Sequence, residues 1–193
     1  MMNWLKENWF YLTVLVIALA LPHVITNLYY AQIITMSCIF AIGALSMNLI
    51  MGYTGQMSLA HGGFFAIGAY SVGILTSKLG WNFWLALPAS ALLAAFIGFW
   101  VGLPALRTRG AYFAITTLCL GEIIYLLAGN WMELTGGHTG MVGIPLPSPV
   151  AIPGVGQITF DSPASQYYLV LFFLLLTLFV MYRLVNSMRG MTF

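Results

Sequence analysis

The sequence predicts an all-α, polytopic integral membrane protein with about six transmembrane helices. Composition is the first reason: of 193 residues, 61% are hydrophobic and 5% charged, whereas a soluble domain carries about 25% charged residues. The placement of the charges is the second. They fall at Lys6, Glu7, Lys78, Arg107, Arg109, Glu122, Glu133, Asp161, Arg183 and Arg189, which leaves uncharged runs at 8–77, 79–106, 134–160 and 162–182. A bilayer-spanning helix needs roughly 20 mostly apolar residues, so the first run alone accommodates three spans with tight turns. Tryptophan supplies the third: Trp4, Trp9, Trp81, Trp84 and Trp131 lie near predicted span ends, where an amphipathic indole sits at headgroup level.

The hydrophobic segments, in order, are about 9–25, 29–51, 57–77, 83–103, 111–129 and 167–185. The first also has the look of a signal peptide, since Ala18-Leu19-Ala20 resembles a small-residue cleavage site. Its weak leading charge and an apolar stretch that runs past Pro22 favour a retained span. Residues 29–77 read either as two spans or as one broken span. Counting Lys and Arg decides for two, with the N-terminus inside: Lys6, Arg107, Arg109, Arg183 and Arg189 are then cytoplasmic and Lys78 external. Along 83–103 small residues recur (Ala86, Ala89, Ser90, Ala94, Gly98, Gly102), a spacing that lets helix backbones approach closely. Segment 130–166, with Pro145, Pro147, Pro149, Pro153 and Pro163, is too broken to span and reads as a long external loop, a candidate contact surface.

Several function classes are excluded. A net charge of +2 without a basic cluster offers no footprint for nucleic acid, and no Gly-rich loop runs into Lys-Ser/Thr to cradle a nucleotide. Cys38 and Cys119 lie in apolar segments without metal-ligand spacing and read as small buried hydrophobes. Ser58 and His61 are spaced i, i+3 on a possible helix, yet nothing nearby supplies an oxyanion hole or orients a base, which argues against an intramembrane hydrolase.

Glu122 is the sharpest chemical feature. It lies eleven residues after Ala111, roughly 16 Å into a hydrocarbon core about 30 Å thick. An ionised carboxylate there costs about 2.5–3.5 kcal/mol on insertion scales, so it must face a polar cavity or a partner, or hold a proton. Either a pathway residue or a structural hydrogen bond to a neighbouring helix satisfies this, and Tyr125, one turn on, is the nearest candidate donor. The second feature is the stretch from Gly52 to Gly63, in which glycines around polar residues interrupt a helix. Non-helical backbone at membrane depth survives only beside protein or a wet cavity, and transporters use such breaks to present backbone groups to substrate. A plain cytoplasmic turn is the alternative, and His61 alone reads as a helix-interior, hydrogen-bonding histidine. Arg107-Thr108-Arg109-Gly110 fits positive-inside anchoring to headgroups or a partner contact. Glu133 to Gly140 fits a flexible turn or a binding loop.

Taken together, Asn48-Leu49-Ile50-Met51-Gly52-Tyr53-Thr54-Gly55-Gln56-Met57-Ser58-Leu59-Ala60-His61, then Phe64 to Tyr70, then Gly102-Leu103-Pro104-Ala105-Leu106-Arg107-Thr108-Arg109-Gly110-Ala111-Tyr112-Phe113 resemble the branched-chain amino-acid ABC transporter permeases. Gly121-Glu122-Ile123 and Leu134-Thr135-Gly136-Gly137 before Gly140 and Ile144-Pro145 continue the resemblance in order, over about 40–190. It implies a multi-pass subunit of a bacterial importer in the cytoplasmic (inner) membrane. The partners implied are a homologous permease, cytoplasmic ATP-binding subunits and an extracytoplasmic amino-acid-binding protein. No cofactor of its own is implied, because the partners use the ATP. Gly52, Tyr53, Gly55, Gln56, Ser58, His61 and Glu122 would then lie near the substrate pathway, Arg107 and Arg109 on the ATPase side, and Thr135, Gly136, Gly137 and Gly140 on the binding-protein side. The mechanism implied is alternating access.

Two departures accompany the resemblance. Family members often carry Arg where this chain has Tyr125, which removes an ion-pair partner for Glu122. Ser187 to Phe193 resembles the start of the cytoplasmic segment leading to the ATPase-coupling helix, so 1–193 reads as a single permease domain incomplete at its C-terminus. The alternatives are a permease for urea or short amides and a membrane assembly subunit that does not itself transport.

Overall fold

The computed structural model describes residues 16–22, 27–53, 55–105, 107–108, 110–152 and 156–188. Helical residues 16–22 form α1. There follow α2 (Leu28–Asn48), a π-helical turn (Leu49–Tyr53), α3 (His61–Ser77), α4 (Phe83–Ala105), α5 (Ala111–Asn130), α6 (Met132–Thr135), a 3₁₀ turn (Gly137–Thr139), a strand pair β1 (Val150–Ile152) and β2 (Gly156–Ile158), and α7 (Pro163–Met188). Among the described residues, four helical stretches are long and apolar enough to cross a membrane: Leu28–Gly52, Phe83–Ala105, Ala111–Asn130 and Pro163–Val185.

Two of the six expected segments are not among these four. Most of segment 9–25, with Trp4, Trp9 and the charged residues before it, lies outside the described residues. Segment 57–77 is helical only from His61, because 55–59 is non-helical. At 17 residues α3 is about 25 Å long, shorter than a hydrocarbon core of about 30 Å. Residues 29–77 thus hold two helices, α2 and α3, on either side of a non-helical stretch. The strand pair is a further departure from all-α: β1 and β2 pair antiparallel with Val150 opposite Ile158, inside the connection between α5 and α7.

The chain divides into two compact units, one of residues up to Ile42 with those from Phe160 onward, the other Gly43–Thr159. In the first, the Tyr167 hydroxyl donates to the Ala18 carbonyl at 2.8 Å. That carbonyl would ordinarily accept from residue 22, which is Pro22 and has no N–H. The tyrosine supplies the missing donor, and the Tyr168 hydroxyl donates to the Leu19 carbonyl at 3.1 Å.

The second unit is built on α3, α4 and α5. Its core is made of small residues: Ala86, Ser90 and Ala105 of α4 are buried, and Gly98 lies against the Phe64 ring of α3. The small-residue stripe therefore packs on α3, while Leu92, Phe96, Phe99 and Trp100 of α4 stay exposed, as a lipid-facing surface requires. Hydroxyls within the helices are satisfied locally: Ser71 donates to Ile67, Thr76 to Val72 and Thr116 to Tyr112, the usual solution where no water is available.

The connection after α5 folds onto one end of this unit. Asn82 caps α4 by accepting from the Trp84 amide at 3.1 Å and also receives the Ser148 hydroxyl at 2.5 Å. The Trp84 indole N–H donates to the Ser148 carbonyl at 3.0 Å, and the Lys78 ammonium donates to the Glu133 carbonyl. Lys78 and the connection thus share one end of the unit, and Arg107, beyond the far end of α4, lies at the other.

α3 and α5 meet at glycines. A Cβ on Gly63 would stand 2.9 Å from Ile124 Cδ1 and 3.2 Å from Gly121 Cα. Gly63→Val should lower stability by about 1–3 kcal/mol through overpacking. Gly68→Ala, where nothing lies within 4 Å, should leave it unchanged or raise it by about 0.5–1 kcal/mol. Thermal unfolding of the two variants in nanodiscs checks the contrast.

Candidate functional site

The break between α2 and α3 starts with the π turn, a geometry often found at functional sites. Within it, a Cβ on Gly52 would come 2.7 Å from Asn48 Oδ1, so a larger residue there displaces the Asn48 side chain. Gly55 then adopts φ +66°, and the chain runs without helix through Gln56 to Leu59 before turning at Ala60 into α3. Gln56 is exposed, Ser58 and Ala60 are buried. Thr54 and the side chain of Tyr53 lie outside what the structure describes.

Depth follows from what this segment touches. The Leu59 amide donates to Thr117 Oγ1 at 3.0 Å, and that hydroxyl donates onward to the Ala114 carbonyl at 2.9 Å. Thr117 is six residues into α5, about 9 Å from its start. Next, a Cβ on Gly121 would lie 3.4 Å from Ala60 Cα, which sets Ala60 level with the middle of α5. His61, the first residue of α3, shares a 2.5 Å hydrogen bond with Ser46 of α2. Non-helical backbone therefore sits part-way along a membrane-length helix, and a plain turn at the helix ends does not describe it.

Residues of the non-helical segment line two cavities. On one side a pocket of about 260 Å³ lies among α3, α4 and α5, lined by Ser58, Phe64, Gly98, Phe113 and Thr117 and almost wholly apolar. On the other side a cleft of about 480 Å³ runs between α3 and α5. Leu59, Gly62, Gly63, Ala66 and Tyr70 form one wall, and Gly121, Glu122, Tyr125 and Ala128 the other. Gly137 and His138 close one end, where a Cβ on Gly129 would meet the His138 ring at 3.0 Å. Among the lining residues Glu122 is the single formal charge, and among the described residues nothing donates to its carboxylate.

The sequence-derived candidates thus fall into groups. Glu122 and Gly137 line the cleft, together with Tyr125, the expected neighbour of Glu122. Gly52 and Gly55 shape the break. Ser58 faces the apolar pocket and is not helical, so the i, i+3 pairing with His61 does not exist; His61 instead bonds Ser46. Thr135 is buried, and its hydroxyl donates to the Ala128 and Trp131 carbonyls at 2.5 and 2.7 Å, closing the end of α5. Gly136 and Gly140 hold left-handed φ values of +78° and +71° that turn the chain over the cleft. Arg107 is exposed, whereas Arg109 and Arg189 lie outside the described residues. Sequence reading overlooked Tyr70 and His138 as lining groups. Tyr70 lies two turns beyond Gly63 on the helix face that glycine marks, a signal that was present.

Thr117→Val keeps the shape but removes the acceptor for Leu59, so stability should fall by about 1–3 kcal/mol, while Thr117→Ser should retain most of it. Amide hydrogen exchange at Leu59 reads the effect directly, with faster exchange in the valine variant alone.

Comparison with known proteins agrees with this architecture. A family profile described as "Branched-chain amino acid transport system / permease component" matches residues 29–193. The chain is 36% identical over 202 residues to the high-affinity branched-chain amino acid transport system permease protein LivM of Salmonella typhimurium, covering 96% of this chain and 47% of that protein. It is 37% identical over 203 residues to LivM of Escherichia coli, with the same coverage of each. The chain therefore spans about half the length of the curated relatives it matches. No solved structure matches. With the profile extending over most of its length, this chain belongs to the permease family of branched-chain amino acid transport systems.

Proposed function

We propose that the chain forms part of the transmembrane subunit of an ATP-driven importer for branched-chain amino acids, with the cleft beside Glu122 on the substrate path. The observation that carries this reading is the non-helical segment 55–60 at the depth of Thr117 and Gly121. Such backbone is expensive in lipid and is kept where it lines a passage or a binding site. The family's description as one component of a transport system supports partners: a homologous permease, cytoplasmic ATP-binding subunits that consume the ATP, and an extracytoplasmic binding protein.

In this reading the protein is a bacterial inner-membrane permease of about six spans with its N-terminus inside, and it does no covalent chemistry. The Arg107 end faces the ATP-binding subunits, and the turn from Thr135 to Gly140 faces the binding protein. Alternating access then requires two packings of α3 against α2 and α5, each favoured by a different state of the partners. The π turn and Gly55 are the flexible elements between those packings, and the glycine contact of Gly63 with Gly121 is a surface along which helices slide without side-chain clashes.

Two measurements test it. Proteoliposomes holding the complete transporter should accumulate radiolabelled leucine with ATP inside and the binding protein supplied, and should not do so without ATP; equal uptake without ATP would instead indicate a channel or secondary transporter. For orientation, Lys78→Cys and Arg107→Cys are made in a Cys38→Ala, Cys119→Ala background. A membrane-impermeant maleimide added to intact cells should label position 78 and spare position 107, and the reverse pattern inverts the topology.

A further inference from the structure

We infer that Glu122 is the anchoring group for the cationic end of the transported molecule, so the cleft selects ligands that carry an alkylammonium over neutral amides and simple carboxylates. This rests on the cleft being the substrate path and adds to it the chemistry of recognition. The lining holds one carboxylate and no Lys or Arg, so a cation entering it finds the only formal counter-charge at Glu122. Tyr125 stands one helical turn from Glu122, and Tyr70 borders the same cleft from α3; aromatic faces beside a carboxylate are a favourable surrounding for an ammonium. The remaining wall is Leu59, Ala66, Leu118 and Ala128, apolar groups against which a short aliphatic chain can lie.

Desolvation gives the discrimination its direction. A carboxylate at the middle of a spanning helix loses solvation, and a partner charge restores more of it than a neutral hydrogen-bond donor does. An ammonium ligand restores it, whereas urea or an amide leaves the charge uncompensated and a carboxylate ligand adds repulsion. The same term makes the empty cleft favour capture of a cation as the path closes around it.

The test uses the complete transporter in nanodiscs, with Ala128→Cys as a reporter on the cleft wall in the Cys38→Ala, Cys119→Ala background. The rate of maleimide labelling is read in the presence of leucine, 3-methylbutylamine, 4-methylpentanoate or acetamide. Leucine and 3-methylbutylamine should slow labelling; 4-methylpentanoate and acetamide at equal concentration should not. Glu122→Gln should weaken protection by leucine about 10–100-fold, the loss expected for a charged hydrogen-bond partner, and Glu122→Asp should recover part of it. Equal protection by acetamide or 4-methylpentanoate, or unchanged protection in Glu122→Gln, overturns the inference. ATP-driven leucine uptake by the same preparations separates the two levels. Normal uptake with an unmoved KM in Glu122→Gln defeats the anchoring role and leaves the importer reading intact. Absence of ATP-driven uptake in the unsubstituted transporter defeats that reading, while the labelling assay, which needs no ATP, still decides the role of Glu122.

Discussion

Lipid offers no hydrogen bonds, so each backbone N–H and C=O at membrane depth needs a partner within the protein. That constraint explains most of this structure. Where the backbone is helical it is met automatically, and the hydroxyls of Ser71, Thr76 and Thr116 fold back on their own helices. Where the helix stops, side chains take over: Tyr167 covers the carbonyl that Pro22 leaves open, and Thr117 receives the amide of Leu59. The second of these ties the non-helical chain between α2 and α3 to α5.

The cleft is therefore a product of two economies of volume. Gly63 and Gly121 bring α3 and α5 together at one level, and the same helices separate beyond it to admit Tyr70, Glu122 and Tyr125. A carboxylate in a long apolar helix is tolerated only because this separation gives it somewhere to point. Packing and electrostatics are solved by one crossing.

Much of this was legible in the residues. The alternation of charged positions with long apolar runs located α2, α4, α5 and α7, and the small residues of α4 marked the face that packs on α3. Glu122 stood out by depth alone, and the glycines from Gly52 onward announced a break. What stayed hidden was long-range. Nothing near Thr117 in sequence says that its hydroxyl waits for Leu59, 58 residues away, so segment 57–77 read as a span of ordinary length. The π turn differs from an α-helix by one residue of register, which hydropathy does not resolve. The β1–β2 pair lies among prolines and glycines whose composition says "not a spanning helix" and no more. The buried hydroxyl bonds of Thr135 to the Ala128 and Trp131 carbonyls could not be foreseen from the residues around it.

The rim of the cleft has one further property. Gly137 is buried against the Gly129 carbonyl and Met132, and it has no side chain. It has no rotamer to change, so side-chain hopping on the picosecond to nanosecond scale is left to His138 and Met132 beside it. A larger displacement of the turn passes through Gly136 and Gly140, whose left-handed backbones suit few other residues, and loop rearrangements of that kind run on nanosecond to microsecond clocks.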